Sequence, residues 1–402
     1  MFGKQPTIIT DPEKIHDVLT RGVEDIFVKE SLEKRLKSGQ RLRIKLGIDP
    51  TGSTLHIGRA IPLRKLRAFQ DLGHQIVFIV GDFTAQIGDA SDKLQKRPML
   101  TEAAVKENIK NYKKLVGKII DIKKAEFVFN SSWLAKLNFR DVCELAETFT
   151  VQQMSNRRNF KDRFDKGEEV SLREFLYPLM QGYDSVMVNA DVELGGFDQL
   201  FNLKAGRIIQ KHFQKPEQDI IALQMLEGTD GRKMSTSWGN VINITDEPND
   251  MYGKVMSVND SLIIKYFTLC TSVSLSEIES LKTQLESGTN PRDIKMRLAR
   301  ELVEIYHSHE AALRAEKSFT MAFSEGGIPD DLVHVKVAAD AKLVDVMVFQ
   351  KIVASKSEWR RLIDERAVSI IETGEKIEDP YAFVQTGTYK IGKRRFLKLV
   401  TK

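Results

Sequence analysis

LRIKLGIDPTGSTLHIGRA, residues 42–60, changes its hydrophobic rhythm halfway through. LRIKLGI is short and apolar-rich, as a buried strand requires, and DPTGST supplies turn-forming residues. Beyond it, Ile57, Ile61, Leu66, Phe69 and Leu72 fall on one helix face, and Gly73 provides a stop. QIVFIV, residues 75–80, is a second, continuously apolar strand. Strand, helix and strand in that order predict a βαβ unit, and so a parallel sheet. Arg64, Lys65 and Arg67 are expected on the solvent side of the helix.

Further along, TEAAVKENIKNYKKLVGKI (101–119) has the spacing of one amphipathic helix, and 130–165 reads as mostly helical. IIALQMLEG (220–228) reads as a buried strand running into a glycine-bounded loop. From Asp250 to Ser324 the pattern is helical, and SEGGIPDD (324–331) has the composition of a linker. After it, SKSE (355–358) has the form of a capping box opening a helix with Arg360 and Arg361. AVSII, TGTYKI and RRFLKLV follow as short strands between glycine-containing turns. No internal repeat or low-complexity tract is present.

The chain of 402 residues, 42% hydrophobic and 29% charged, has the composition of a soluble globular protein with room for two or three domains. MFGKQPTIITDPEK lacks the apolar core of a signal peptide, and no apolar run is long enough to cross a bilayer. Cys143 and Cys270 stand far apart without a CxxC partner, which argues against a disulfide scaffold or structural zinc and fits a reducing cytoplasm. Residues 341–402 hold 13 Lys+Arg against 8 Asp+Glu, while the other 340 residues balance. The net charge of +5 therefore sits wholly in this C-terminal segment, as suits a module facing a polyanion.

Three stretches carry candidate chemistry. DPTGSTLHIGR follows a strand and opens a helix, whose free N–H groups and dipole attract phosphate. Gly52 and Gly58 permit close backbone approach, and His56 and Arg59 offer donors. No GxxxxGK[ST] P-loop occurs in the chain. GTDGRKMSTSWGN (228–240) combines three glycines, hydroxyls and Lys233, fit to close over a leaving pyrophosphate. In FLYPLMQGYDS (175–185), Tyr177, Gln181 and Asp184 share one helix face and suggest a small polar pocket. ADVELGGFDQ (190–199) then offers Asp198 and Gln199 beside a close-approaching Gly195–Gly196. The remaining histidines are isolated or, at His307 and His309, point in different directions.

Together these motifs resemble the class I aminoacyl-tRNA synthetases, and within them the bacterial tyrosyl branch with a C-terminal S4-like domain. LHIGR corresponds to the family's HIGH signature and KMSTS to its KMSKS signature. YPLMQGYDS with ELGGFDQ is the more specific match, since it resembles the tyrosine-selecting segment. The resemblance spans nearly the whole chain and is densest from Leu42 to Asn243.

It implies an α/β fold. A Rossmann-like parallel-sheet catalytic domain (1–228) carries a helical insertion at about 90–200. The KMSKS-type loop and an α-helical anticodon-side domain (229–325), a linker (326–340) and a small α+β S4-like RNA-binding domain (341–402) follow. It implies a tyrosine–tRNA ligase that makes tyrosyl-adenylate from L-tyrosine and Mg2+-bound ATP, then charges tRNA(Tyr). It also implies a cytoplasmic homodimer with no protein-bound metal and no editing domain.

By the same resemblance, Asp49, Thr51, His56, Gly58, Asp198, Gln199, Lys233, Ser235 and Thr236 bind ATP, with His56, Arg59 and Lys233 catalytic. Lys45, Gly47, Asp89, Tyr177, Gln181, Asp184 and Gln199 hold tyrosine, Asp89 at the α-amino group and Asp184 at the hydroxyl. Arg360, Arg361, Arg394 and Arg395 are expected to meet tRNA. Four positions depart from the pattern: Arg59 replaces the second histidine of HIGH, and Thr236 the second lysine of KMSKS. Lys45 stands where one branch has a tyrosine, and Phe197 where a small residue is usual. Arg59 and Thr236 leave open a catalytically weak paralogue that binds structured RNA. A tryptophanyl-type ligase is the other alternative, though it would be expected to differ in the tyrosine-selecting segment and to lack the S4-like module.

Overall fold

The computed structural model describes residues 7–89, 99–324, 334–338, 340–392 and 395–401. It divides into two compact units, 1–308 and 309–402. The first is built on a six-stranded sheet: β1 Val23–Phe27, β2 Arg43–Ile48, β3 Gln75–Val80, β4 Ala125–Phe129, β5 Val192–Gly196 and β6 Asp219–Leu223. Spatial order is β1-β6-β5-β2-β3-β4, parallel throughout except for β1 at one edge. The chain builds outward from β2 through β3 to β4, then returns to the other side of β2 as β5 and β6. That reversal leaves a crevice beyond the carboxyl ends of β2 and β5, where open α/β sheets bind ligands.

The expected βαβ unit is present. The helix Ile57–Asp71 follows β2, and Ile57, Ile61, Leu66, Phe69 and Leu72 are all at most 5% exposed. One expectation on this helix fails. Lys65 does not face solvent: it is 7% exposed and its Nζ donates to the carbonyls of Val18 and Arg21, closing the end of the helix Pro12–Thr20. A cation at a helix C-terminus is favoured by the dipole and by otherwise unpaired carbonyls.

Segment 101–119 is not one helix but two, Glu102–Ile109 and Tyr112–Val116, interrupted at Lys110–Asn111, where asparagine is a poor helix former. The apolar face survives the break, with Val105, Tyr112 and Val116 buried. β4 lies inside the segment expected as a helical insertion; it pairs only with β3, at the sheet edge, and shows no clear alternation. Beyond β6, helices Pro248–Met256, Ile263–Cys270, Leu275–Glu286 and Pro291–Tyr306 match the helical pattern read from sequence.

The second unit contains the helix His309–Ser324 and a four-stranded sheet of β7 His334–Val337, β8 Val368–Ile370, β9 Gly387–Ile391 and β10 Arg395–Thr401, in the order β7-β10-β9-β8. Helices Leu343–Phe349 and Lys356–Asp364 cover it around Trp359, Met347, Tyr389 and Leu397. β7 comes from within the segment expected as linker and pairs in parallel with β10; residues 325–333 lie outside the described residues. Ser355 caps the second helix at Glu358 N, but Glu358 reaches back to the N–H of Ala354 rather than of Ser355. Among the described residues, no helix is long and apolar enough to cross a membrane.

Candidate active site

The carboxyl end of β2 runs into Asp49-Pro50-Thr51. Asp49 accepts from Thr84 Oγ1 at 2.7 Å and from the Tyr177 hydroxyl at 2.9 Å. This packing requires glycine at 81, since a Cβ there would lie 2.1 Å from Asp49 Oδ1. His56 is the N-cap of the helix Ile57–Asp71, with Nδ1 accepting from the Arg59 N–H at 3.4 Å. Burial, and then the Arg59 charge, lower the imidazole pKa to about 4. His56 is therefore neutral near pH 7, and with Nδ1 accepting, its proton is on Nε2. It offers a donor, not a charge. Arg59 donates to Thr51 Oγ1 at 2.8 Å.

The second motif is fastened onto the first. Ile57 N donates to Ile242 O and Ile244 N to Leu55 O, each at 2.9 Å, so His56 and Asn243 form a β-bridge. The Met234 sulfur lies 3.1 Å from where a Cβ on residue 58 would stand, which explains the glycine of HIGR. Asn240 organises the loop: Oδ1 accepts from Ser235 N, and Nδ2 donates to Asp230 Oδ1 and Lys233 O. The Asn240 bond, reinforced by Arg232, lowers Asp230 to about 2. Thr236 begins the short turn Thr236–Trp238 that follows. Lys233 Nζ is 3.5 Å from Asp198 Oδ2, so the third motif, GGFDQ, closes the same crevice from β5. Gln199 stands at the N-terminus of the helix Leu200–His212. Two helix N-termini thus open on the crevice, with Lys233 between them and Asp198 beside it.

Tyr177, Gln181 and Asp184 lie on the helix Leu172–Met187, as their spacing predicts. Asp184 is 4% exposed and accepts from Trp133 Nε1 at 2.7 Å and Asn130 Nδ2 at 3.2 Å. Burial raises its carboxyl to about 7, against the opposing pull of Lys45 and these donors. Tyr177, buried beside three carboxylates, is held well above the usual phenol range. Asn202 links Gln181 Oε1, at 3.0 Å, to Asp89. Asp89 pairs with the equally buried Arg157, whose guanidinium lies over the rings of Phe160 and Phe201. Gly47, in mid-strand, leaves open space above it: nothing comes closer than 4.0 Å to a Cβ built there.

Lys45 lies in the floor of this pocket. Its Nζ donates to Gln181 O, Ser185 Oγ and Glu193 Oε1 at 2.8, 2.6 and 2.9 Å, and the side chain is fully buried. An ammonium has three donors and all are engaged here, so Lys45 braces the pocket floor. Glu193 shares the brace, accepting also from Gln181, Ser185 and Gln218. In the C-terminal module, Arg360 and Arg361 lie on an exposed helix, but Arg395 is tied to Ile352 O and Glu358. Arg394 lies outside the described residues.

Sequence reading missed Asn130, Trp133, Arg157, Asn202 and the Lys45–Glu193 pair. Asn130 and Trp133 directly follow β4, and an unrecognised strand hides the residues at its end. Tyr112, read only as an apolar helix position, is fully buried, with its phenol raised to about 12 chiefly by burial. Its hydroxyl sits near Arg59 and Asp49, and Arg59 opposes the rise.

A cavity of about 380 Å³ lies elsewhere, lined by Arg21, Arg64, Lys65 and Lys118 among others. Its charges have a structural explanation, because three helix C-termini converge there. Lys65 takes the end of Pro12–Thr20; Arg21 and Arg64 bond Val273 O and Ser272 Oγ beyond Ile263–Cys270; Lys118 reaches Tyr306 O.

A Rossmann-type sheet with HIGR and KMSTS meeting at its switch point defines a class I aminoacyl-tRNA synthetase. The family model for class I tRNA synthetases (W and Y) matches residues 37–324, and the chain belongs to that family. Within it the chain groups with tyrosine–tRNA ligases of bacteria. That of Carboxydothermus hydrogenoformans is 45% identical over 400 residues, covering 96% of this chain and 97% of that one. That of Thermotoga maritima is 44% identical over 393 residues, covering 96% and 98%. Among solved structures, a C-terminally truncated mitochondrial tyrosyl-tRNA synthetase of Coccidioides posadasii is 25% identical, with a TM-score of 0.61, covering 76% of this chain and 91% of that one.

Proposed function

We propose that this chain is a tyrosine–tRNA ligase. One observation carries the reading: HIGR, KMSTS and GGFDQ, far apart in sequence, converge on one crevice beside a buried carboxyl, Asp184, that is set to read a hydroxyl. Tyrosine enters over Gly47 with its hydroxyl at Asp184 and its ammonium at Asp89, Tyr177 and Gln181, while Gln199 flanks it. ATP lies across Asp49, Thr51, His56, Gly58, Asp198, Ser235 and Thr236, and Mg2+ arrives with it as part of the substrate.

A tyrosine carboxylate oxygen attacks the α-phosphorus, the bond from that phosphorus to the bridging oxygen breaks, and pyrophosphate leaves. His56 donates a neutral Nε2–H, Arg59 and Lys233 supply positive charge, and the two helix N-termini add backbone donors. The terminal ribose hydroxyl of tRNA(Tyr) then attacks the adenylate carbonyl, and AMP leaves. No side chain serves as nucleophile. Selectivity over phenylalanine follows from Asp184, Asn130 and Trp133: a site built around a hydroxyl leaves buried polar groups poorly paired when the hydroxyl is missing.

Phe139, Val151, Phe164 and Leu172, 46–84% exposed on helices of the 130–187 region, support a homodimer contact there. Arg360 and Arg361 take tRNA phosphates, and the protein works in the cytoplasm with its cysteines reduced. Pyrophosphate exchange with single amino acids tests the reading: tyrosine alone should support it. Exchange driven by tryptophan, or none from a folded protein, contradicts it.

A further inference from the structure

In the C-terminal module, the segment 381–384 runs alongside residues 341–343. Leu343 N donates to Ala382 O at 2.9 Å and Val384 N to Ala341 O at 3.0 Å, and Lys342 and Phe383 face each other across this short antiparallel bridge. Side chains opposite one another in such a pairing share a face, as do those two apart along one strand. The burial follows that rule. Ala382 packs on the core and Val384 is 4% exposed, whereas Tyr381 and Phe383 are 50% and 57% exposed.

Tyr381, Phe383 and Lys342 therefore stand on one outer face, and Arg360 joins them from the helix Lys356–Asp364. Its guanidinium lies 5.6 Å from the Tyr381 ring centre and donates to the Tyr381 hydroxyl at 2.6 Å; Lys342 Nζ is 5.7 Å from the same ring. Cation–ring contacts at exposed sites are weak. A phosphate can draw both cations away and bare the ring.

We propose that Tyr381 and Phe383 form a stacking platform for unpaired bases of RNA, with Lys342 and Arg360 taking the flanking phosphates. Phosphate binding to a duplex needs no exposed rings, whereas unstacked bases in loops or ends pair naturally with aromatic faces and guanidinium planes. Charge favours RNA over a second copy of this module, because residues 341–402 carry the whole net charge of +5 and would repel themselves. The identity of the RNA as tRNA(Tyr) rests on the ligase reading; the stacking platform does not.

The test uses the full chain, a tRNA(Tyr) transcript and a fully paired RNA duplex of equal length. Tyr381→Ala and Phe383→Ala should each raise the Kd for the transcript about 5- to 100-fold. Both should leave duplex affinity unchanged and keep the slope of log K against log salt. Tyr381→Phe should stay near wild type, whereas Arg360→Ala should flatten the slope. Equal losses on transcript and duplex, no loss on either, or a Tyr381→Phe defect as large as Tyr381→Ala would overturn the platform. So would loss of self-association with RNA affinity intact. Tyrosine-dependent pyrophosphate exchange on the same samples separates the two claims: normal exchange with no stacking defect sinks only the platform, and absent exchange sinks the ligase reading.

Discussion

At the tyrosine end of the crevice Lys45, Asp89, Asp184, Glu193 and Asn202 are at most 4% exposed, and each is hydrogen-bonded to another part of the pocket. At the ATP end the Lys233 side chain is 44% exposed and Trp238 53%, on a loop braced by the Asn240 side chain and by backbone bonds of its own. On the proposed function, the contrast matches the work assigned to each end. Discriminating one hydroxyl demands donors and acceptors fixed before the ligand arrives. Stabilising charge on a leaving pyrophosphate demands cations able to follow it.

Breaking the rigid end should cost most. Lys45→Met leaves Glu193 buried without its cation, and stability should fall by about 3–5 kcal/mol in urea unfolding. Lys45→Met with Glu193→Gln should recover much of that loss; no recovery would mean that the pair is not what holds the floor. At the other end, Lys233→Ala should lower the exchange kcat by about 10²–10³ while tyrosine affinity stays unchanged. Equal losses in both would make Lys233 a ground-state contact and erase the contrast.

Asp184 sharpens the comparison through pH. Its folded carboxyl titrates near 7, well above the unfolded value of about 4. The folded state therefore holds this proton more tightly, and the resulting stability is full below pH about 4 and lost as pH rises through 7. Asp184→Asn cannot ionise, so its melting temperature should gain on that of wild type between about pH 4 and 7. Parallel curves would show that the carboxyl is not held protonated by burial. The smallest effect is expected at Arg59. Arg59→His loses the Thr51 bond and a fixed positive charge but keeps the helix N-terminus and a donor, so exchange should fall only slightly. A collapse would show that arginine is the fitted residue here.

Much of the fold was legible because periodicity is local. The βαβ unit from Leu42 to Val80 and the helices after Asp250 could be read from spacing alone. β4 escaped because an edge strand with one neighbour needs no strict alternation, and with it went Asn130 and Trp133. Lys65 was misread because charge suggests solvent, while carbonyls closing a distant helix are invisible along the chain. Lys45 shows the same limit. Its position in the site was legible, but its three bonds come from residues at 181, 185 and 193, so its role belongs to the fold. The motif residues fared better: His56, Lys233, Asp198 and Asp184 do meet around one crevice.

The central claim is that a buried carboxyl reads the substrate hydroxyl, and the ratio of kcat/KM for tyrosine to that for phenylalanine in pyrophosphate exchange tests it most directly. Wild type should strongly prefer tyrosine, and Asp184→Ala should lose about 10- to 100-fold of that preference with phenylalanine activity little changed. An unchanged ratio in a folded Asp184→Ala protein would contradict the account.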